Sequence, residues 1–472
     1  MTDTLTLAID VGTHTTRALV SDADGNVLAH AQRENYTLRP ATGHVEQDGK
    51  DIINSIYAVV ESVTSRIHGI KQAGMAIQRS SVIAWDRYTG HPLSPVLSWQ
   101  DTRAANSVAA LDRHADDIKS RSGLVLTPFY GASKLNWLLQ NDPEVAASRE
   151  DERLCIGPLA SYVLFKLLAK KPYLVDESNA ARTQLWNLQA RAWDTRLCEL
   201  FDIPQSLLPE VLPTCAHYGR VIDTSIPLTA VCGDQNAAFY SIGNLPAETA
   251  FINLGTGAFI LSPTGQTPKP HPRLLTTLAF SNPDRVQYML EATVNGAGSA
   301  LQWARQRWRI ADLHGVLPGW LREIDNPPVF LNTIGGLGSP WWRSGLEPRF
   351  VDMQPDSENN PALCVTAIVE SIAFMLMHNL ETLKQAGQSC TQCMVSGGLA
   401  SLDGLCQKLA NLTTMPVLRL ATREATALGA ALLASSLPPA EPVIEHRFEP
   451  KPDPGLTQRY NRFLEGLRDL IR

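Results

Sequence analysis

Asp10-Val11-Gly12-Thr13-His14-Thr15-Thr16-Arg17, entered from the apolar run Leu5 to Ile9, is the stretch from which the rest of the chain can be read. A glycine-threonine turn between two β-prone runs predicts a hairpin. The same arrangement returns at Asn253-Leu254-Gly255-Thr256-Gly257-Ala258-Phe259, behind the run Thr249 to Ile252. Glycine lets a backbone approach an anion closely, and the amide N–H groups and threonine hydroxyls beside it can donate to phosphate oxygens. Two such hairpins, each near the start of a chain half, predict a duplicated α/β fold that grips a nucleotide from both sides.

The bulk properties agree. At 472 residues the chain exceeds what one core normally serves, so two domains are expected. A hydrophobic share of 44% and a charged share of 19% are ordinary for a globular protein. The net charge of −6 argues against a nucleic-acid partner and leaves room for a local pocket that takes ATP. No stretch reads as long enough for a membrane span, and Met1-Thr2-Asp3-Thr4 lacks a basic leader, so a cytoplasmic protein with no membrane partner is expected. The eight cysteines lack a framework spacing, which fits reduced thiols. Cys390-Thr391-Gln392-Cys393 has no second pair to complete a zinc site, and reads as small residues entering a strand.

Along the first half, strands are expected at 5–10, 17–21 and 27–32, with a turn at Asp24-Gly25-Asn26. Asp48 is the expected N-cap of a helix that places Ile52, Ile53, Ile56, Val59 and Val60 on one face. Strands follow at 74–78 and 81–85, Asp101 is expected to cap a helix, and 134–140 belongs to another. The second half restarts near Thr249 and carries a long helical pattern over 361–384. A β-run at 394–396 then leads through Gly397-Gly398 to helices at 402–412 and 426–434. Leu437-Pro438-Pro439-Ala440-Glu441-Pro442 reads as a linker before an amphipathic helix at 456–471. The divisions are therefore 1–242, 247–437 and 438–472.

Phosphoryl transfer needs a phosphate cradle, a divalent cation with a carboxylate to position it, and a base for the acceptor hydroxyl. Asp10 stands at a strand end directly before the first cradle, where it could hold Mg²⁺ directly or through water. An Asx-turn cap would account for that residue equally well. Asp234, in Gly233-Asp234-Gln235 behind the run Leu228 to Cys232, is placed to take a proton from an attacking hydroxyl, and is also what a turn would use. Gly397-Gly398 and Gly296-Ala297-Gly298 permit close approach of a ring or phosphate, and serve equally as strand-to-helix turns.

Taken in order, these pieces resemble the FGGY family of carbohydrate kinases, and its glycerol kinase members most closely. Gly43-His44-Val45-Glu46-Gln47-Asp48, Trp99-Gln100-Asp101-Thr102-Arg103, Lys134-Leu135-Asn136-Trp137 and the run Asp176 to Thr183 are similar to family segments. So are Trp193-Asp194, Ile203-Pro204, Gly335-Gly336-Leu337-Gly338-Ser339-Pro340 and Thr426-Ala427-Leu428-Gly429-Ala430. The resemblance implies two actin-like (ribonuclease H-like) domains, each a mixed sheet flanked by helices, around a deep interdomain cleft. The first domain would be the acceptor side and the second the nucleotide side. Asp234 would be the general base and Asp10 the Mg²⁺-side carboxylate. Gly12, Thr13, Thr15 and Arg17 would meet the distal phosphates of ATP from one side, Gly255 and Thr256 from the other. Gly298, Gln302, Gly397, Gly398 and Leu399 would line the nucleotide. Arg79, Ser80, Trp99, Phe129, Gln235 and Phe259, with Asp234, fall on acceptor-pocket positions for a small polyol or sugar. A homodimer or higher homo-oligomer is the assembly such relatives often adopt.

Departures bear on the acceptor. Glycerol kinases carry glutamate after the pocket arginine, where this chain has Ser80 after Arg79, and their pocket tyrosine aligns with Phe129, beside Tyr130. A serine reaches less far than a glutamate and carries no charge, which leaves room for a longer acceptor such as a four- to six-carbon polyol or ketose. Leu402 stands where an asparagine near the adenine is expected. The competing reading is a non-catalytic ATP-binding switch on the same fold, which would have no use for Asp234, Gln235, Arg79 and Trp99. A dinucleotide oxidoreductase is disfavoured because the first glycine loop leads into a strand rather than a helix.

Overall fold

The computed structural model of the chain describes residues 4–243, 248–421, 424–435 and 441–472. Strand β1 (Leu5–Val11) runs antiparallel to β2 (Thr15–Ser21), which sets Asp10 opposite Arg17. Strand β3 (Val27–Glu34) extends that side, antiparallel to β2. On its other side β1 pairs parallel with β4 (Ile70–Ile77), and β4 pairs parallel with β6 (Pro227–Gly233). Strand β5 (Cys215–Arg220) closes that edge antiparallel to β6.

The second sheet repeats the plan. Strands β7 (Thr249–Leu254) and β8 (Ala258–Gly265) form the second hairpin. Antiparallel β10 (Val286–Val294) follows β8, and β9 (Leu275–Ser281) adds one strand beyond. On the other side β11 (Gln392–Ser396) and β12 (Val417–Leu420) run parallel, closed by antiparallel β13 (Ile444–Phe448). The orders β5-β6-β4-β1-β2-β3 and β9-β10-β8-β7-β11-β12-β13 therefore share one polarity pattern about each hairpin. The duplication foreseen from two loops holds at the level of whole sheets.

Helix α1 (Gly49–Thr64) starts where expected, because the Asp48 carboxylate accepts from the N–H groups of Lys50 and Asp51. Its buried face is Ile52, Ile53, Ile56, Val59 and Val60, packed on the first sheet. Helices α2 (Asp234–Ser241) and α3 (Gly298–Arg307) rise from the cleft. Helix α4 (Pro361–Gln385) corrects the composition-based reading, since it is long and apolar enough to cross a membrane. Its apolar window is 83% buried inside the protein, so its hydrophobicity serves the second core. Helices α5 (Asp403–Thr413), α6 (Ala425–Ser435) and α7 (Pro454–Ile471) complete that domain.

Between the sheets lies a thin layer built on Ala8, Ala76, Ala237, Ala238, Ala427, Ala430 and Ala434. Two glycines bring backbones together there. A Cβ on Gly429 of α6 would stand 1.8 Å from the Ala237 carbonyl oxygen of α2, and one on Gly74 of β4 would stand 2.0 Å from that of Ala430. This contact gives the Thr426–Ala430 segment its physical meaning.

Asp101 does not cap a helix. The short helix Ala105–Ala109 has Ala104 at its N-cap position, with no side-chain bond. The buried Asp101 carboxylate instead accepts from the Val45 N–H at 2.6 Å and pairs with Arg103 Nη2 at 2.8 Å. Of the Pro-rich stretch, 437–440 lies outside the described residues.

Candidate active site

Both hairpin turns open onto one cleft of about 650 Å³ between the sheets. The first contributes Gly12, Thr13, Thr15 and Arg17, and the second Gly255, Thr256 and Phe259. Arg79, Ser80, Trp99, Phe129, Asp234 and Gln235 line the same space. These expected site residues therefore share one wall-to-wall volume, although they are scattered from position 12 to position 259. Asp10, Gly298, Gln302, Gly397, Gly398 and Leu399 are not among the lining residues. Gly298 and Gly397 sit behind the second hairpin, where a Cβ would meet Gly255 O at 2.8 Å and Leu254 O at 2.6 Å respectively. Gln302 is exposed, and Leu399 packs in the second core.

The loops are held by their neighbours. Gly12 N–H donates to Thr15 O at 3.0 Å, closing the first turn. The Trp99 indole N–H donates to Thr13 Oγ1 at 3.0 Å, which ties the segment carrying Trp99 to the first hairpin turn. In the second turn Gly255 N–H donates to Gly257 O, while Gly255 O and Thr256 O accept from the first N–H groups of α3, each at 3.0 Å. The start of α3 thus anchors this loop, and its leading donors are already used.

Asp234 opens α2 at the end of β6. Its Oδ1 accepts from Gln235 N–H at 2.8 Å and lies 3.6 Å from Arg79 Nε. Burial raises its carboxyl above the usual range, against the pull of Arg79. Behind it, Gly233 N–H donates to Ser178 Oγ at 2.9 Å, and that hydroxyl donates to the buried Asp176 carboxylate. The turn carrying Asp234 is therefore tied to a second buried acid, whose carboxyl burial lifts to about 6.

Asp10 is 5% exposed, and burial lifts its carboxyl to about 7, opposed by Arg17 at 3.4 Å. Asp234 and Glu424 add to the rise, so three acids press on this point and a divalent cation would relieve them. Among the described residues no group of three His, Cys, Asp or Glu could cage a metal alone. The donor set fits a cation shared with phosphate oxygens and water.

The wall of the cleft that carries Trp99 and Phe129 rests on a polar scaffold. Arg103 pairs with Asp101 and Glu46 and lies over the Trp137 ring, 4.8 Å from its centre. The fully buried Lys134 amine, its pKa pushed down to about 7 by burial, donates to Ser98 O at 3.0 Å and to Phe129 O at 2.8 Å. One side chain thus joins the segments that carry Trp99 and Phe129. Ser80 adopts a left-handed φ of 65°, an uncommon backbone for serine that marks the pocket floor.

Two cleft groups were not singled out from the sequence. Arg182 lines the cleft within the Asp176–Thr183 run, and Glu291 is fully buried on β10. Glu291 pairs with Arg79 at 3.0 Å and with Arg182 at 3.1 Å. Burial acts to raise its carboxyl, but the two arginines outweigh that and hold it below the ordinary range. A lone glutamate inside a β-run carries no signal of this kind. Arg182 was legible only as part of a family-like segment.

Family models of the FGGY carbohydrate kinases match residues 5–239 (N-terminal domain) and 250–437 (C-terminal domain). Glycerol kinase of Alcanivorax borkumensis is 32% identical over 441 residues, covering 91% of this chain and 88% of that protein. The crystal structure of Plasmodium falciparum glycerol kinase with ADP superposes with a TM-score of 0.86 at 26% identity, covering 100% of this chain and 99% of that one. Gluconate kinase from Lactobacillus acidophilus matches with a TM-score of 0.86 at 21% identity and the same coverage, a likeness of fold.

Proposed function

The chain belongs to the FGGY family of carbohydrate kinases, and from that premise we propose that it moves the γ-phosphoryl group of ATP onto a hydroxyl of a small polyol or sugar-like acceptor longer than glycerol. It is a phosphotransferase with an alcohol group as acceptor, as its relatives are. The observation that carries the fuller reading is the convergence of Asp234 with both glycine-threonine loops on one cleft. Asp234 takes the proton of the attacking hydroxyl, and burial raises its carboxyl above the usual range, which favours accepting that proton. Thr13, Thr15 and Arg17 meet the distal phosphates from the first domain and Thr256 from the second. Asp10 would hold Mg²⁺, whose charge offsets that of the phosphoryl oxygens when bound. Gln235 is kept in place by Asn253 Nδ2 at 2.8 Å, a bond that joins the two domains beside the base.

ADP release from ATP and Mg²⁺ tests this across glycerol, longer polyols, ketoses and sugar acids, with Asp234→Asn as the blank. Stimulation by one acceptor above that blank is expected. ATP binding without stimulation by any acceptor would instead favour a nucleotide switch.

Lys134 supplies a further check on the acceptor wall. With Lys134→Met, the carbonyls of Ser98 and Phe129 lose their shared donor and the two walls lose register. The acceptor KM should rise roughly 10- to 100-fold, in line with the cost of small misplacements. The KM for ATP should stay within about twofold of wild type, since no bond of Lys134 reaches the nucleotide side. Equal rises in both constants would show a general loss of fold.

A further inference from the structure

We propose that the acceptor carries a carboxylate, and that Arg182 is the residue that meets it. The inference rests on the kinase reading above and narrows its substrate to a polyhydroxy acid.

Arg182 is 6% exposed, lines the cleft, and lies over the Tyr130 ring at 5.2 Å from its centre. Its Nη2 reaches Glu291, but its Nε and Nη1 are buried and have no hydrogen-bond partner. Buried charged donors left without acceptors are costly, and proteins rarely keep them idle. Nearby carboxylates do not supply the missing partner. Glu291 is shared with Arg79, and Arg79 in turn faces Asp234. Ser80 makes no hydrogen bond to the Arg182 Nε or Nη1 either; its hydroxyl donates to the backbone carbonyl of Arg182 at 3.3 Å. Where glycerol kinases place a glutamate, this chain therefore has a neutral group beside an under-partnered arginine.

An acceptor that brings its own carboxylate supplies the acceptor oxygens that Arg182 Nε and Nη1 lack. A hydrogen bond from a guanidinium to a carboxylate is about twice as strong as one between neutral groups, so a polyol of equal length would bind less well. The same donors could serve the transferring phosphoryl group, and the test separates the two.

Matched pairs of polyol and aldonic acid with four, five and six carbons are compared for ADP release, using wild type, Arg182→Gln and Ser80→Glu. One acid is expected to exceed its polyol by about 100-fold in kcat/KM, a ratio within reach of a site built around a hydrogen-bonded group. Arg182→Gln should remove most of that preference without changing the KM for ATP. Ser80→Glu restores a carboxylate to the pocket, and should reverse the preference and raise relative activity on neutral polyols, glycerol included. A wild type that prefers a neutral polyol or ketose overturns the inference and leaves the kinase reading standing. A rise in the KM for ATP with an unchanged acceptor ranking in Arg182→Gln overturns it too, by assigning Arg182 to the phosphoryl group. Absence of ADP release with every acceptor would bring down the kinase reading and this inference with it.

Discussion

Asp234→Asn should turn over about 10²- to 10⁴-fold more slowly than wild type while still binding ATP, the loss expected for removing a positioned general base. The substitution is nearly isosteric, and the new amide oxygen can keep the bond from Gln235 N–H. What disappears is the proton acceptor. The nucleotide contacts proposed for Thr13, Thr15, Arg17 and Thr256 lie on other elements, so the Kd for ATP should move little. Wild-type pH dependence gives an independent reading of the same group. Burial raises the Asp234 carboxyl, so the base becomes protonated, and activity falls, at a higher pH than for a free aspartate. The acid limb of kcat/KM should accordingly lie above the ordinary carboxylate range, and the residual activity of the variant should lack it. Retention of wild-type turnover would remove Asp234 from the mechanism.

Gly429→Val is expected to destabilise the protein by about 3 kcal/mol or more, the upper range for overpacking a tight contact. A Cβ at this position would stand 1.8 Å from Ala237 O, which belongs to backbone and cannot swing aside. Helix α6 would have to move off α2, and through Ala430 off β4 as well. In thermal melting the midpoint should fall by roughly 5–10 °C, or the chain should fail to accumulate folded. Gly319→Ala is the control, since its added Cβ meets only Glu323 Oε1 at 3.9 Å within a helix. That variant should be neutral or gain up to about 1 kcal/mol from helix propensity. Equal melting of the two variants would show that the α2–α6 contact is dispensable.

Much of the fold was legible because its signals are local. The hairpins at Gly12 and Gly255, the Asp48 cap and the apolar face of α1 depend on residues within a few positions of each other. Asp101 misled for a physical reason. An aspartate before a helix caps it only if no stronger partner competes, and Arg103 with the Val45 N–H competes successfully. Helix α4 was expected as a long helix, but its apolar length was underread, and only its packing in the second core shows what that apolarity serves. The site divides along the same line. Strand-end residues such as Asp10 and Asp234 announce themselves through their turns, whereas Glu291 takes its meaning only from Arg79 and Arg182, each 100 or more positions away.

The alanine and glycine layer between the sheets also constrains how this chain can vary over time. An ordinary core can drift both ways, losing a methyl group at one site and regaining it at the next. Where Gly74, Gly429, Ala237 and Ala430 meet, each residue is already at or near the smallest size that chemistry offers. At Gly74 and Gly429 substitution can run only toward bulk, and the backbone oxygens they face cannot shrink in compensation. The cleft walls meet no such limit, so a change of residue is expected to be tolerated there more readily than at this junction.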